Sequence, residues 1–553
     1  MNGSRGVFLI RHHLLLALGL WFVPVYEVAA QSHVDTVAEI QRLAATAGQS
    51  DVLHWGPDAS RYSSWKTHTN RLIPIYTFGL DLKEVSDAHS VYRSEDALRE
   101  LYGTVPAETL NPEAKYFDQT DVFRLQKLAI ARGKKRIVLL VFDGMDWQTT
   151  RAAAIVKTGK VSYDTGRGQG LAFQDYRGVE TDFGYFVCSP HNDGTSVDVN
   201  EQRVINPGGK TPGGYDPKRA GHTPWETGSE PRYIMAEGAE LRHAYTDSSS
   251  SASSLTCGIK TYNNGVNVDF AGREVVPLAR KLQQEGWSVG VVTNVPISHA
   301  TPAAAYANNV HRSDYQDLTR DMLGRPSIYH PKGLDGVDVL LGTGWGETKT
   351  ADGAQGNNFV PGNRYLTAED EKQIDLQHGG RYVIAQRTPG KVGAKVLDEA
   401  VRSAVKGKHR LFGFFGYVGT FAVGASHLPF RTSDGRYNPV MSVGNPDAAR
   451  PEVYTAADLS ENVTLAEMTL ASLDVLQAKS DRWWLMLEAG DVDWANHVNN
   501  IDNSIGGVHS GDEAFSALVK WIEQHGGWQE TCVIVTADHG HYLVLDDPSK
   551  LAQ

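Results

Sequence analysis

Cysteine is scarce in this chain: Cys188, Cys257 and Cys532 are the only three in 553 residues. An odd, widely spaced set excludes a disulfide framework. Without close pairs there is no thiolate zinc ribbon, so any metal must be held by oxygen and imidazole. An excess of positive charge is also missing. A formal net charge of −12 argues against a broad nucleic-acid footprint, and no nucleic-acid-binding module is recognisable. A phosphate substrate stays compatible, because a few cations in a pocket reverse the local field. Long apolar runs are lacking too. The one candidate, Leu14 to Tyr26, is interrupted by Pro24 and is shorter than the roughly 20 residues of a membrane span. Arg5 and Arg11 precede it and Val28-Ala29-Ala30 follows, which is the pattern of a signal peptide over residues 1–30, cleaved near Ala30. The mature chain is therefore expected to be exported, to a periplasm or the extracellular space, without a transmembrane span.

What is present reads as one large α/β protein. Residues 31–130 are polar with helical patches and no recognisable chemistry, and form an N-terminal extension. Residues 131–553 then alternate apolar runs with helical stretches. IVLLVFDG (137–144), GWSVGVVTN (286–294), DVLLGTG (338–344), RLFGFFG (410–416), WWLMLEAGD (483–491) and CVIVTADHG (532–540) look like strands buried on both faces of a parallel sheet. Helical segments such as PLARKLQQEG lie between them. The pattern predicts a three-layer αβα sandwich around a central, mostly parallel sheet. A stretch rich in Gly, Pro, Asp and Thr, from about 165 to 240, interrupts the rhythm as an irregular insertion.

In an open α/β sheet, ligands bind beyond the carboxyl ends of the strands. Those ends carry Asp143, Glu488, Asp491, Asp493, Asp538 and His539, with His497 one helical turn past Asp493. One aspartate after a strand is usually a turn-former or helix cap. Several converging on one edge repel each other unless a cation lies between them. Two further segments point the same way. In YTDSSSSASSLTCGIKT (245–261), Ser248 follows Asp247 and opens a helix, where free N–H groups attract anions; on composition alone the segment reads as a linker. In SHATPAAAYANNVHR (298–312), Thr301-Pro302 starts a predicted helix that places Arg312 three turns on, toward the same site. Arg is the bidentate partner for phosphate oxygens.

As a set these motifs resemble the alkaline phosphatase family over most of residues 135 to 545: IVLLVFDGM, TDSSSSASSLTCGIKT, HATPAAAYA with its later Arg, LEAGDVDWANH and VTADHGH. The resemblance implies two Zn²⁺ and one Mg²⁺. Asp143 would bridge zinc and magnesium. Asp538, His539 and the Ser248 oxygen would complete that zinc site. Asp493 and His497 would hold the second zinc, and Thr301 and Glu488 the magnesium. Arg312, steadied by Asp247, would grip the phosphoryl group. His299 and Trp494 would tune the site, and His541 would orient a zinc carboxylate. Ser248 would attack phosphorus in line, and the phosphoserine would then be hydrolysed. The expected activity is hydrolysis of small phosphate monoesters for phosphate scavenging, by a homodimer. Alternatives are a phosphodiesterase, sulfatase or phosphonate hydrolase of the same superfamily, or a non-catalytic phosphate- or metal-binding relative. The presence of both Ser248 and Arg312 favours the monoesterase.

One expected ligand has no counterpart. In the family a further His, well downstream of TADH, completes the zinc site at Asp493 and His497, and no His follows His541 in this sequence. His541, His427, His191 and His222 are the candidates to replace it, with the two in the insertion preferred.

Overall fold

The computed structural model describes residues 1, 3, 36–236, 242–417, 426–437 and 454–552. The apolar run and the cleavage point expected near Ala30 lie outside the described residues. All six apolar runs are strands of one ten-stranded sheet. In chain order the strands needed here are β1 (Leu53–Trp55), β2 (Ile73–Phe78), β3 (Phe117–Asp118), β4 (Arg136–Phe142), β5 (Thr181–Val187), β6 (Ser288–Pro296), β7 (Val339–Thr343), β8 (Tyr382–Gln386), β9 (Arg410–Phe415), β10 (Trp483–Ala489), β11 (Thr531–Thr536) and β12 (Leu543–Leu545).

The sheet order is β8-β9-β7-β6-β10-β4-β11-β2-β5-β3. From β8 to β11 every neighbour is parallel. β2 is then antiparallel to both β11 and β5. Every residue of β4, β6, β10 and β11 is buried, which is why these runs are apolar throughout rather than alternating. The register aligns the ends. Glu488 and Thr536 both pair with Val141, and Glu488 also pairs with Thr293. The residues that follow β4, β10 and β11 therefore emerge at one level of one edge.

Helices cover the sheet in two groups. α4 (Ser248–Cys257) packs on both α2 (Asp121–Ala131) and α5 (Ala300–Ala304), and α2 and α5 reach the central strands. α1 (Thr36–Ala47), α3 (Trp147–Thr158), α6 (Gly393–Gly407), α7 (Leu465–Lys479) and α9 (Ile501–Gln524) form the second group, with α7 and α9 on the same central strands. α8 (Asp491–His497) links β10 to α9. The result is the mixed α/β, three-layer arrangement expected from the alternation.

The N-terminal segment is woven into this frame. β2 and β3 belong to the main sheet, α1 packs on α9, and β1 pairs antiparallel with β12 near the other end of the described chain. The irregular stretch at about 165–240 likewise contributes β5 to the main sheet, besides a small hairpin, Ser196–Asp198 with Arg203–Asn206. No helix among the described residues is long and apolar enough to cross a membrane.

Candidate active site

Ser248 is the first residue of α4. Asp247 caps the helix, its Oδ1 accepting the Ser250 amide at 3.0 Å, which satisfies one of the orphan N–H groups of the first turn. The serine run is a buried helix, not a linker. Ser253 and Ser254 donate to the carbonyls of Ser249 and Ser250, and Ser251 donates to the Asp538 carbonyl at 2.6 Å. Small hydroxyls that satisfy themselves locally let this helix lie close under the strand ends.

Two strand ends converge on Ser248. Asp143 follows β4, and Asp538 and His539 follow β11. The Ser248 Oγ lies 3.1 Å from His539 Nε2 and 3.5 Å from Asp143 Oδ1. His539 Nε2 lies 3.3 Å from Asp143 Oδ1 and 3.4 Å from Asp538 Oδ2. Four donors at about 2.0–2.1 Å around one tetrahedral ion stand roughly 3.3 Å apart, and these separations match that edge. Asp538 Oδ1 is held by the amides of Gly144 and His539, which leaves Oδ2 without a partner, as is Asp143 Oδ2. Gly144 is fixed by its surroundings: its φ is +73°, and a Cβ there would lie 3.0–3.1 Å from Asp493.

Glu488 and Thr301 lie together beside this group. Glu488 Oε2 accepts the Thr293 hydroxyl, whereas Glu488 Oε1 and the Thr301 Oγ1, close enough for Thr301 to favour the Glu488 carboxylate, make no well-aligned hydrogen bond. Burial raises the Glu488 carboxyl to about 8 and the Asp538 carboxyl to about 6, with neighbouring carboxylates adding to both. Asp143 goes well above its ordinary value through burial and the charges of Asp538, Asp493 and Glu488. Buried, mutually repelling acids with orphaned oxygens are the donor set a hard or borderline divalent cation satisfies.

Asp493 is the opposite case. Burial would raise its carboxyl, but His497, His541 and His68 hold it well below the usual range. Its Oδ1 lies 2.7 Å from His541 Nε2, 3.4 Å from His497 Nε2 and 3.5 Å from His68 Nε2. His68 also stacks on His539, with ring centroids 3.7 Å apart. Two groups of candidate metal donors thus emerge, Asp143–Asp538–His539 and His68–Asp493–His539–His541. His68 comes from the segment read as carrying no chemistry, and the search along strand carboxyl ends passes over it. His541 is in the second group; His191, His222 and His427 are in neither. His191 stacks on Phe270 at 4.8 Å, and His427 Nδ1 bonds the Leu428 carbonyl. The preference for a ligand from the insertion is therefore corrected. Asp491 lies in α8 and joins neither group.

Arg312 reaches the site, though not along a helix. α5 stops at Ala304, because Asn309 turns to bridge Val266 and the Arg312 amide bonds the Asn264 carbonyl; these contacts compete with further helical turns. From this loop Arg312 Nη1 donates to Asp247 Oδ2 at 2.9 Å, and Nη2 lies 3.4 Å from His299 Nε2. Burial and Arg312 push His299 down to about 3, so it is neutral. Trp494 packs edge-on against His299 at 5.6 Å.

The sequence has relatives. Residues 229–391 and 446–550 match the family model described as alkaline phosphatase. Alkaline phosphatase 4 of Bacillus subtilis is 27% identical over 294 residues, 53% of this chain and 49% of its own. The Escherichia coli alkaline phosphatase is 26% identical over 341 residues, 59% of this chain and 64% of its own. The matched stretches thus span from about half to just under two thirds of those relatives' length. A cold-active alkaline phosphatase from Shewanella superposes over 73% of this chain and 68% of its own at 19% identity, with a TM-score of 0.41.

Proposed function

We propose, from the chain's place in the alkaline phosphatase family, that it is a metal-dependent hydrolase of phosphate monoesters with Ser248 as nucleophile. The observation that carries this reading is the position of the Ser248 hydroxyl. It stands at a helix N-terminus, within 3.1–3.5 Å of His539 and Asp143, with the Asp247–Arg312 pair adjoining it. Asp143, Asp538 and His539 would hold one Zn²⁺ and Asp493 with His497 another. Asp143, Thr301 and Glu488 would hold Mg²⁺; the orphaned oxygens on Asp143, Glu488 and Thr301 suit that ion. When bound, these ions supply the Lewis acidity that makes a serine hydroxyl nucleophilic at neutral pH and neutralises charge on phosphoryl oxygens.

The protein's own groups do the rest. The first-turn amides of α4 face the phosphoryl oxygens. Arg312, held by Asp247, directs its remaining N–H groups at the equatorial oxygens, where charge builds as the ester bond breaks. Ser248 Oγ attacks phosphorus in line and the alcohol leaves, giving a phosphoserine; water then cleaves that ester, restoring Ser248 and releasing inorganic phosphate. A terminal, dianionic phosphoryl group needs the positive charge of Arg312, which favours monoesters over diesters. Export of the mature chain would suit phosphate scavenging.

The test is hydrolysis of p-nitrophenyl phosphate against bis-p-nitrophenyl phosphate, before and after chelation. The monoester should be the better substrate and chelation should abolish its turnover. Ser248→Ala should lower kcat by at least about 10³-fold; a variant as fast as wild type refutes the nucleophile assignment.

A further inference from the structure

We propose that His68, from the segment ahead of β2, is the third protein ligand of the divalent ion at Asp493 and His497, and that this ion latches the N-terminal segment onto the end of the sheet. The inference rests on the metal-site reading above and adds to it a ligand from an unexpected part of the chain.

The first argument is the tautomers. His68 Nδ1 lies 2.9 Å from the Thr246 carbonyl, and His497 Nδ1 lies 2.7 Å from the Lys66 carbonyl. A carbonyl only accepts, so each Nδ1 carries a proton, and in the neutral ring each Nε2 presents a lone pair. Those two Nε2 atoms face each other at 3.1 Å. Two lone pairs at that distance repel unless a proton or a metal cation lies between them, and a metal also accounts for the Asp493 oxygen 3.4–3.5 Å from both. Imidazoles oriented through Nδ1 by backbone carbonyls are the usual support for metal ligation.

The second argument is distance. The three separations among His68 Nε2, His497 Nε2 and Asp493 Oδ1 are 3.1, 3.4 and 3.5 Å. They match the roughly 3.3 Å edge of a tetrahedral site with ligands at 2.0–2.1 Å. The competing candidate, His541, stands 2.7 Å from the same carboxylate oxygen. That is a hydrogen-bond length, so His541 donates to Asp493 and orients it.

The third argument is how His68 is delivered. Because β2 runs antiparallel to β11, its N-terminal end lies at the edge where the parallel strands have their carboxyl ends. The Thr69 amide donates to the Gly540 carbonyl at 2.9 Å. Leu53, His54 and Trp55 pair with Leu545, Val544 and Leu543. Asn499, two residues past His497, bonds Ser63 and the Trp65 carbonyl. The same segment thus provides one ligand, orients a second and is zipped to the strand that follows His541.

The experiment measures zinc bound per chain, after equilibration with zinc alone, in wild type, His68→Ala, His68→Cys and His541→Ala. Wild type should bind two tight zinc ions, His68→Ala one fewer, His68→Cys two because thiolate is a competent ligand, and His541→Ala two. Amide hydrogen exchange of wild type, with and without chelator, reads the latch: exchange in residues 62–72 should rise at least tenfold on chelation. A wild type that binds no zinc refutes the metal-site reading itself. A wild type that binds two while His68→Ala binds two with equal affinity refutes only the role of His68, and unchanged exchange refutes the latch. If His68→Ala does not fold, restored stoichiometry in His68→Cys supports the ligand and its absence overturns it.

Discussion

At Asp247 two opposing effects can be weighed. Burial works against its charge, but Arg312 and the donors Ser250, Asn264 and Ser249 overcome it, lowering the carboxyl from its ordinary 3.8 to about 2. A carboxyl whose folded-state value is depressed contributes stability that is full above about pH 4 and is lost as pH falls through about 2. Asp247→Asn should therefore be less stable than wild type by about 2 kcal/mol near neutral pH. Urea unfolding of the two chelated proteins should show that gap shrinking between about pH 4 and pH 2; a gap independent of pH is the contrary result. Most of the residues that meet at the candidate site were legible because they sit in short motifs at strand ends. His68 was not. It stands in a polar stretch, SSWKTHTN, and gains its partners only through an antiparallel pairing with residues more than four hundred positions away. An antiparallel strand brings the residue before it, not after it, to the active edge, so a search of carboxyl ends misses it for a geometric reason.

At the scale of elements, the parallel strands were legible because burial on both faces makes them uniformly apolar. The serine helix was legible at its start, where Ser248 follows the capping Asp247, but its composition matches a linker and its burial under Asp538 comes from packing alone. The reach of α5 failed for the reverse reason: AAAYA favours a helix, and Asn side chains with long-range backbone bonds end it early. α9 makes a tighter test. Gly511 faces Phe142, the last residue of β4 beside Asp143, and a Cβ at Gly511 would stand 2.1 Å from the ring. Replacing Gly by Ala in a helix interior gains about 1 kcal/mol, whereas overpacking a buried contact costs about 1–3 kcal/mol. Phe142 is fully buried and cannot yield without moving Asp143, so the clash should win. Gly511→Ala is expected to unfold at lower urea concentration than wild type and to bind zinc more weakly. A more stable variant would show that α9 can shift without cost.

For the whole molecule, the consequence is that the N-terminal segment and the residues after β11 form one edge. The amides of Asp546 and Asp547 donate to the Val52 carbonyl, while Gly133, between α2 and β4, is exposed in a turn. Moving the chain break should therefore preserve the native contacts, with only a loop-closure cost that changes slowly with length. A chain beginning at Lys134 and ending at Gly133, with residue 552 joined to residue 36 by about 15 Gly/Ser residues, should fold. It should carry the same metal content as wild type and a kcat/KM within about tenfold. An insoluble or metal-free product would mean that the segment must be made first. The donors assigned to the second ion and the residue that orients them run from His68 to His541. A nascent chain that has not yet reached α8 holds none of the partners of His68 in that constellation. His68 leaves the ribosome early and waits more than four hundred residues for Asp493 and His497, so on the proposed assignment the ion can be held only once α8 has been made and has met the N-terminal segment.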